Sequence, residues 1–272
     1  MTTRPTHRRT LQPAVGGTAL LLALSACSSS DDSASASSSA GASSAGDVKG
    51  TVTVFAAASL KESFTELGEE FEAAHPGTKV TFNFGGSDAL AASITSGAPA
   101  DVFAAASPKT MQIVTDAKSA AGEPATFVRN QLEIAVVPGN PEDVATLEDL
   151  TEPGMKVALC AKEVPCGAAA QKALDGAGLK LTPVSYEQDV KSALTKVRLK
   201  EVDASVVYKT DVQAAAGKVE GVEFPESAGA VNDYPIVLLK DAPNAGAAEA
   251  FIALVRSGQG RKVLTEAGFL NP

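Results

Sequence analysis

The sequence predicts an α/β fold in two lobes, and three observations carry that expectation. From Val48 onward, short runs rich in β-branched residues alternate with amphipathic segments of helical period, as in layered α/β architecture with mostly parallel strands. Strands end in small residues set directly before a helix start, as in Val54-Phe55-Ala56-Ala57-Ala58-Ser59. The chain has 272 residues, enough for one large or two modest cores. Its length and long middle strands suit two lobes joined by a chain that crosses between them twice, near residues 130 and 230. Ligands of open α/β sheets sit beyond the carboxyl ends of the strands, so the cleft between the lobes is the expected site.

Taken in order, Val52 to Phe55 alternates as a strand and Ser59 to about Ala74 as an amphipathic helix. Ser59-Leu60-Lys61-Glu62 has the form of a capping box at that helix start. His75-Pro76-Gly77 breaks the helix, and Lys79 to Phe84 returns as a strand. Ser87 to Ser96 is helical, Gly97-Ala98-Pro99 turns the chain, and Asp101 to Ala104 is a short buried strand before a helix over Lys109 to Ala117. Phe127 to Pro138 holds the long apolar strand Leu132 to Val137, and Leu147 to Leu150 suggests a short helix. Lys156 to Leu159 is a strand, followed by the Cys160 to Cys166 loop and a helix to about Ala177. Asp189 to Lys200 is a helix, Ala204 to Tyr208 a strand, and Lys209 to Ala215 a helix. Tyr234 to Leu239 is the last strand, and helices over Ala247 to Arg256 and Gly258 to Ala267 close the chain.

The recurring grammar of small residues at a helix start has a chemical meaning. The first N–H groups of a helix lack intrahelical acceptors and sit at the positive end of the helix dipole, which suits an oxyanion. The pattern occurs at Ala58-Ser59, at Phe84-Gly85-Gly86-Ser87, at Val164-Pro165-Cys166-Gly167 and before Val190. Each has a plainer reading. Ser59 serves equally as an N-cap, worth about 1 kcal/mol. Gly85-Gly86-Ser87 reads also as a turn, and Tyr208 as a tyrosine at the edge of a core. Tyr234, before a proline near the return crossing, and Asp101, at the start of a buried strand, read as structural.

The N-terminus reads as an export signal over residues 1–26. Arg4, Arg8 and Arg9 form a basic region, and Ala14 to Ala23 is apolar but too short to span a bilayer. Residues 27–47, nearly all Ser, Ala, Gly and Asp, predict a disordered tether spanning roughly 25 Å. Removing the first 26 residues leaves 20 basic against 32 acidic residues, a change from −9 to −12. Such a body does not seek nucleic acid or anionic lipid, so any attraction for an anion must be local. In an exported chain Cys160 and Cys166 are expected to pair as a disulfide, the alternative being two buried thiols.

Catalysis finds little support. The histidines are His7, in the signal, and His75, in a helix-ending turn. Ser59 lacks the Gly-x-Ser-x-Gly elbow, and no Gly-Lys-Ser phosphate loop occurs. An extracytoplasmic hydrolase is the competing class, and the expectation is that the protein is not an enzyme.

The runs Val54-Phe55-Ala56-Ala57-Ala58-Ser59-Leu60, Phe84-Gly85-Gly86-Ser87-Asp88-Ala89-Leu90 and Gly97-Ala98-Pro99-Ala100-Asp101-Val102-Phe103 together resemble the molybdate-binding proteins of bacterial ABC importers. Val164-Pro165-Cys166-Gly167, Asp189-Val190-Lys191-Ser192-Ala193-Leu194 and Val206-Val207-Tyr208 extend the resemblance over nearly all of residues 50–272. It implies a two-lobed periplasmic-binding-protein fold of type II, with two crossovers and the ligand in the interlobe cleft. Residues 48–130 plus 232–272 would form lobe 1 and residues 131–231 lobe 2. It implies a site of hydrogen-bond donors: the hydroxyl and N–H of Ser59 and of Ser87, the backbone N–H of Cys166 and of Val190, and the hydroxyl of Tyr208. Cys166 stands where the family commonly has Ala, a change that leaves a backbone donor in place. Leu24-Ser25-Ala26-Cys27 resembles a lipobox, which implies lipidation at Cys27 and a body anchored on the outer face of the cell membrane; an ordinary signal peptide with an incidental cysteine is the alternative.

The implied function is capture of molybdate or tungstate, with no cofactor and no metal beyond the oxyanion, and delivery by a monomer to an ABC permease and its ATPase. The alternative on the same fold is another tetrahedral oxyanion: sulfate, thiosulfate or phosphate. Molybdate is a bare dianion with acceptor oxygens only, which a site of donors satisfies fully. Monohydrogen phosphate carries a proton that such a site leaves unpaired. An inward-facing Asp88 carboxylate would accept that proton and favour phosphate.

Overall fold

The computed structural model describes residues 48–272. The expected signal over 1–26, the expected tether over 27–47 and the expected lipidation site Cys27 lie outside the described residues. No helix of the described residues is long and apolar enough to cross a membrane.

Two five-stranded sheets organise the described residues. In the first, β1 (Gly50–Ala57) pairs in parallel with β2 (Thr78–Gly85) on one side and β3 (Val102–Ala104) on the other. Next to β3, β10 (Asn232–Leu238) runs antiparallel, and β4 (Ala125–Asn130) lies antiparallel to β10 at the edge. The register of that last pair shifts at Tyr234/Pro235, where proline has no N–H to give to the ladder. In the second sheet the order is β7 (Ser185–Glu187), β6 (Val157–Cys160), β8 (Ala204–Tyr208), β5 (Leu132–Val136) and β9 (Glu220–Val222). Here β7, β6 and β8 are parallel, while β5 runs antiparallel to both its neighbours.

The stretch Phe127 to Pro138 holds the end of β4 as well as the expected strand β5, and the two lie in different sheets. The break falls at Gln131, whose N–H is held by Asn130 Oδ1 at 3.0 Å, and the chain crosses there from the first sheet to the second. It returns after β9 through a 3₁₀ segment over Pro225–Ala230 into β10. The expectation of mostly parallel strands holds for β2-β1-β3 and β7-β6-β8 and fails for β5 and β10. Each of these enters its sheet from the other half of the molecule and runs against the local direction. The three-residue strands β7 and β9 are too short to leave a period in the sequence.

Helices cover the sheets. α1 (Lys61–Ala74) buries Phe64, Leu67, Gly68 and Phe71. A Cβ at Gly68 would sit 2.7 Å from the Phe82 ring, so the glycine lets the helix lie close on the sheet. α7 (Ala245–Arg256) adds Phe251, which meets Phe71 edge to face at 5.5 Å. α8 (Gly258–Glu266) follows it. On the other face, α2 (Ser87–Thr95) and α3 (Pro108–Asp116) pack Leu90, Ile94, Met111 and Val114 against Phe55 and Phe103. α4 (Pro165–Ala177), α5 (Val190–Arg198) and the short α6 (Lys209–Ala214) do the same for the second sheet. Each fully buried large apolar side chain contributes about 1.5–3 kcal/mol.

One helix start differs from the expectation. Ala58–Leu60 is a 3₁₀ turn, α1 begins only at Lys61, and no side chain caps it, so the capping box at Ser59 does not form. The Ser59 hydroxyl is engaged elsewhere.

Candidate functional site

The carboxyl ends of strands from both sheets meet around one cavity of about 20 Å³. A water-sized probe needs about 10–15 Å³, so the space fits a small ion and is too small for a sugar, an amino acid or a nucleotide. Ser59, Ser87, Cys166, Val190 and Tyr208 all line it. Each sits at a turn from strand to helix.

Ser59 lies in the 3₁₀ turn after β1, 5 % exposed, with its Oγ 2.8 Å from the Tyr234 hydroxyl. Ser87 is the first residue of α2 and 1 % exposed. Its Oγ accepts the Ala106 N–H at 3.0 Å, which leaves the serine proton to donate. Gly86, just before it, admits the close approach of the other half: a Cβ there would stand 2.5 Å from the Gln188 carbonyl oxygen.

Cys166 is the second residue of α4, behind Pro165, and forms the disulfide with Cys160, the two Cα atoms being 5.8 Å apart. The loop doubles back so tightly that a Cβ on Gly167 would lie 1.9 Å from the Ala161 carbonyl oxygen. Proline at the first helical position removes a donor that would have no intrahelical acceptor, and the Cys166 N–H follows it. Val190 opens α5. Asp189 also lines the cavity, but its Oδ1 caps the Ser192 N–H at 2.9 Å and its Oδ2 accepts the Ser192 hydroxyl at 3.0 Å. Tyr208 ends β8, and its Oη accepts from Asn232 Nδ2 at 2.8 Å.

The electrostatics are those of neutral donors. The residues lining the cavity include no Lys, Arg or His. Burial pushes the phenols of Tyr208 and Tyr234 far above their ordinary range, so both hydroxyls keep their protons and remain donors. Asp88 is not among the lining residues; its Oδ1 is buried without a hydrogen-bond partner. Asp101 is structural: Oδ2 holds the Thr53 N–H at 2.7 Å and Oδ1 the Asn244 N–H at 2.6 Å. His75 packs on Phe71 at the end of α1.

A charge cluster stands beside the cavity. Lys191, next to Val190, pairs with Glu62 of α1 at 2.7 Å and with fully buried Asp211 of α6 at 3.0 Å. Burial pushes Asp211 up to about 6 despite Lys191. Burial also pulls Lys191 down, but Asp211 and Glu62 more than offset this and hold it raised. The cost of the pair thus rests on the aspartate, the partner with no exposure.

Sequence reasoning missed Ala106, Asn232, Asn130 and the tie between Ser59 and Tyr234. The Ala106 N–H, Asn232 and Tyr234 meet the lining hydroxyls directly and Asn130 meets Tyr234; a backbone N–H or a single polar residue far away in the sequence carries no local signal.

The profile of the family "Bacterial extracellular solute-binding protein" matches residues 52–270. The chain is 43 % identical over 232 residues to the molybdate-binding protein ModA of Mycobacterium tuberculosis, covering 85 % of this chain and 89 % of that one. It is also similar to a solved substrate-binding domain of a Clostridium difficile ABC transporter assigned to molybdenum, at 29 % identity and a TM-score of 0.61 over 82 % of this chain and 99 % of that one. The periplasmic molybdate-binding protein of Azotobacter vinelandii shares the fold, at 20 % identity and a TM-score of 0.71 over 81 % and 99 %.

Proposed function

The chain belongs to the bacterial extracellular solute-binding proteins, and from that premise we propose that it captures molybdate outside the cytoplasm and delivers it to an ABC importer. One observation carries this reading: a cavity of about 20 Å³ lined by residues from both sheets, among them the hydroxyl-bearing Ser59, Ser87 and Tyr208 and the helix-start residues Cys166 and Val190, and by no cationic side chain. Four helix starts supply partial positive charge without a counter-ion. The 43 % identity to a protein named as molybdate-binding supports the choice of ion. Tungstate, with the same donor needs, fits the same site.

The ligand donors are the hydroxyl and N–H of Ser59 and Ser87, the N–H of Cys166 and Val190, and the hydroxyl of Tyr208. Residues 48–130 and 232–272 act as one lobe and 131–231 as the other, closing on the ion so that water is excluded and each charge-assisted bond strengthens. The ligand-bearing body docks as a monomer on a permease with its ATPase and catalyses nothing itself. Cys27 carries the lipid that holds it at the membrane; the mass of the N-terminal peptide of the exported protein checks that assignment, and an unmodified Cys27 would contradict it.

Calorimetric titration with molybdate tests the donor set. Ser59→Ala and Ser87→Ala are each expected to weaken binding roughly 10–100-fold, the loss of one hydrogen bond to a charged group, with little change in melting temperature. Unchanged affinity in either variant removes that serine from the site.

A further inference from the structure

Asn232 is the first residue of β10, where the chain returns from the second sheet to the first. Its Nδ2 lies 2.8 Å from the Tyr208 hydroxyl and 3.3 Å from the Pro165 carbonyl oxygen. A backbone carbonyl only accepts, so the end of the amide facing Pro165 must be the NH₂. The orientation of the amide is thereby settled by its partners rather than assumed. An NH₂ group cannot accept, and so Tyr208 Oη accepts from Asn232. The one phenolic proton of Tyr208 has to go elsewhere: its other neighbour, the Tyr234 hydroxyl, is already engaged with Ser59 and Asn130, and Tyr208 lines the cavity.

The other crossing repeats the device. Asn130 ends β4, and its Oδ1 accepts the Gln131 N–H at 3.0 Å. That fixes its Nδ2 toward Thr210 Oγ1 at 2.9 Å and, at a longer 3.4 Å, toward the Tyr234 hydroxyl that contacts Ser59. Ser87 Oγ is likewise occupied by a donor, the Ala106 N–H. Of the three hydroxyls that line the cavity, those of Tyr208 and Ser87 are backed by N–H donors, so each keeps its own proton free to turn inward, while Ser59 meets the Tyr234 hydroxyl.

We propose that Asn232 is a positioning residue that fixes the polarity of the Tyr208 hydroxyl and so sets the preference of the site for oxyanions that carry no proton. This inference rests on the oxyanion site proposed above. A bare dianion presents acceptors to every inward proton. Monohydrogen phosphate brings a P–OH whose proton needs an acceptor, and the Tyr208 oxygen is unavailable while Asn232 donates to it. Replacing the NH₂ by an acceptor reverses the sense: Tyr208 donates to the new carboxylate and turns a lone pair to the cavity.

The test is calorimetry on the full chain and on Asn232→Asp and Asn232→Leu, with molybdate, sulfate and phosphate, alongside melting curves. Asn232→Asp is expected to weaken molybdate and sulfate roughly 10–100-fold through the lost donor and the added negative charge. Phosphate shares the charge penalty but gains an acceptor, so the molybdate-to-phosphate affinity ratio falls at least about 10-fold. Asn232→Leu, which adds no charge, is expected to lower molybdate affinity about 2–10-fold and to reduce the same ratio. A merely structural role would lower the melting temperature and weaken all three anions by one factor, leaving the ratio where it was; that result overturns the proposal. If Asn232→Asp does not fold, the ratio in Asn232→Leu decides in the same way. A wild-type chain that binds none of the anions overturns the site reading and this inference with it. A wild-type chain that binds molybdate, with the ratio kept in the variants, overturns this inference alone.

Discussion

Asp211 shows how much a single residue next to the cavity costs and what it holds. It is completely buried, and Lys191 is its ion-pair partner. Burial raises its pKa from 3.8 to about 6. The folded state therefore binds this proton more tightly than the unfolded chain does. The contribution of Asp211 to stability is fully present below about pH 4 and is lost as pH rises through about 6, a change of up to about 3 kcal/mol. Urea unfolding of wild type and Asp211→Asn across that range is expected to show wild type losing stability relative to the variant between about pH 4 and 6, then running parallel above pH 7. A constant difference at all pH values contradicts the assignment. At this scale the sequence was legible where chemistry announces itself. Ser59 and Ser87 announce themselves as hydroxyls at helix starts, Cys166, Val190 and Tyr208 came only from the resemblance, and all five line one cavity. The groups behind them were not legible. Asn232 and Ala106 matter because of what faces them 24 and 19 positions away, and no window of local sequence contains such a pair.

Among the elements, the loop from β6 to α4 is the most tightly specified. The disulfide closes it from behind the Cys166 N–H, and Gly167 admits the Ala161 carbonyl where any side chain would collide. Reduction removes a constraint worth roughly 2 kcal/mol on the chain-entropy model. It is expected to lower the melting temperature by about 4–8 °C and to weaken molybdate binding, because the loop carries one of the proposed donors. Mass spectrometry finding two free thiols in the exported protein, or calorimetry finding the reduced protein unchanged in affinity, would overturn this. Most strands and helices were readable from period and breakers, down to the turn that follows α1, where Gly77 has a φ of +92°. The exceptions have physical causes. Ser59 reads as a cap, but its Oγ meets the Tyr234 hydroxyl, 175 residues away, instead of a helix N–H. The crossing near residue 130 was expected, but β4 before it was not, because Ala125–Asn130 mixes Thr126, Arg129 and Asn130 with buried Phe127 and Val128 and shows neither a clean alternation nor an apolar run.

For the whole molecule, bulk charge and local field oppose each other. Without its first 26 residues the chain carries −12, which repels a dianion, and the cavity has no cationic side chain to answer it. On the proposed reading, helix starts and hydroxyls gathered from two sheets must do so at contact range, which accords with a small cavity lined from both sheets. Lys191 meets Glu62 at 2.7 Å and Asn232 meets Tyr208 at 2.8 Å, contacts that would hold the two proposed lobes together around the ion. Calorimetric titration of the chain at neutral pH with molybdate, tungstate, sulfate and phosphate is the direct test of such a site. Molybdate and tungstate are predicted to bind alike and roughly 10–100-fold more tightly than phosphate. Phosphate binding as tightly as molybdate, or no heat of binding with molybdate at all, would contradict it.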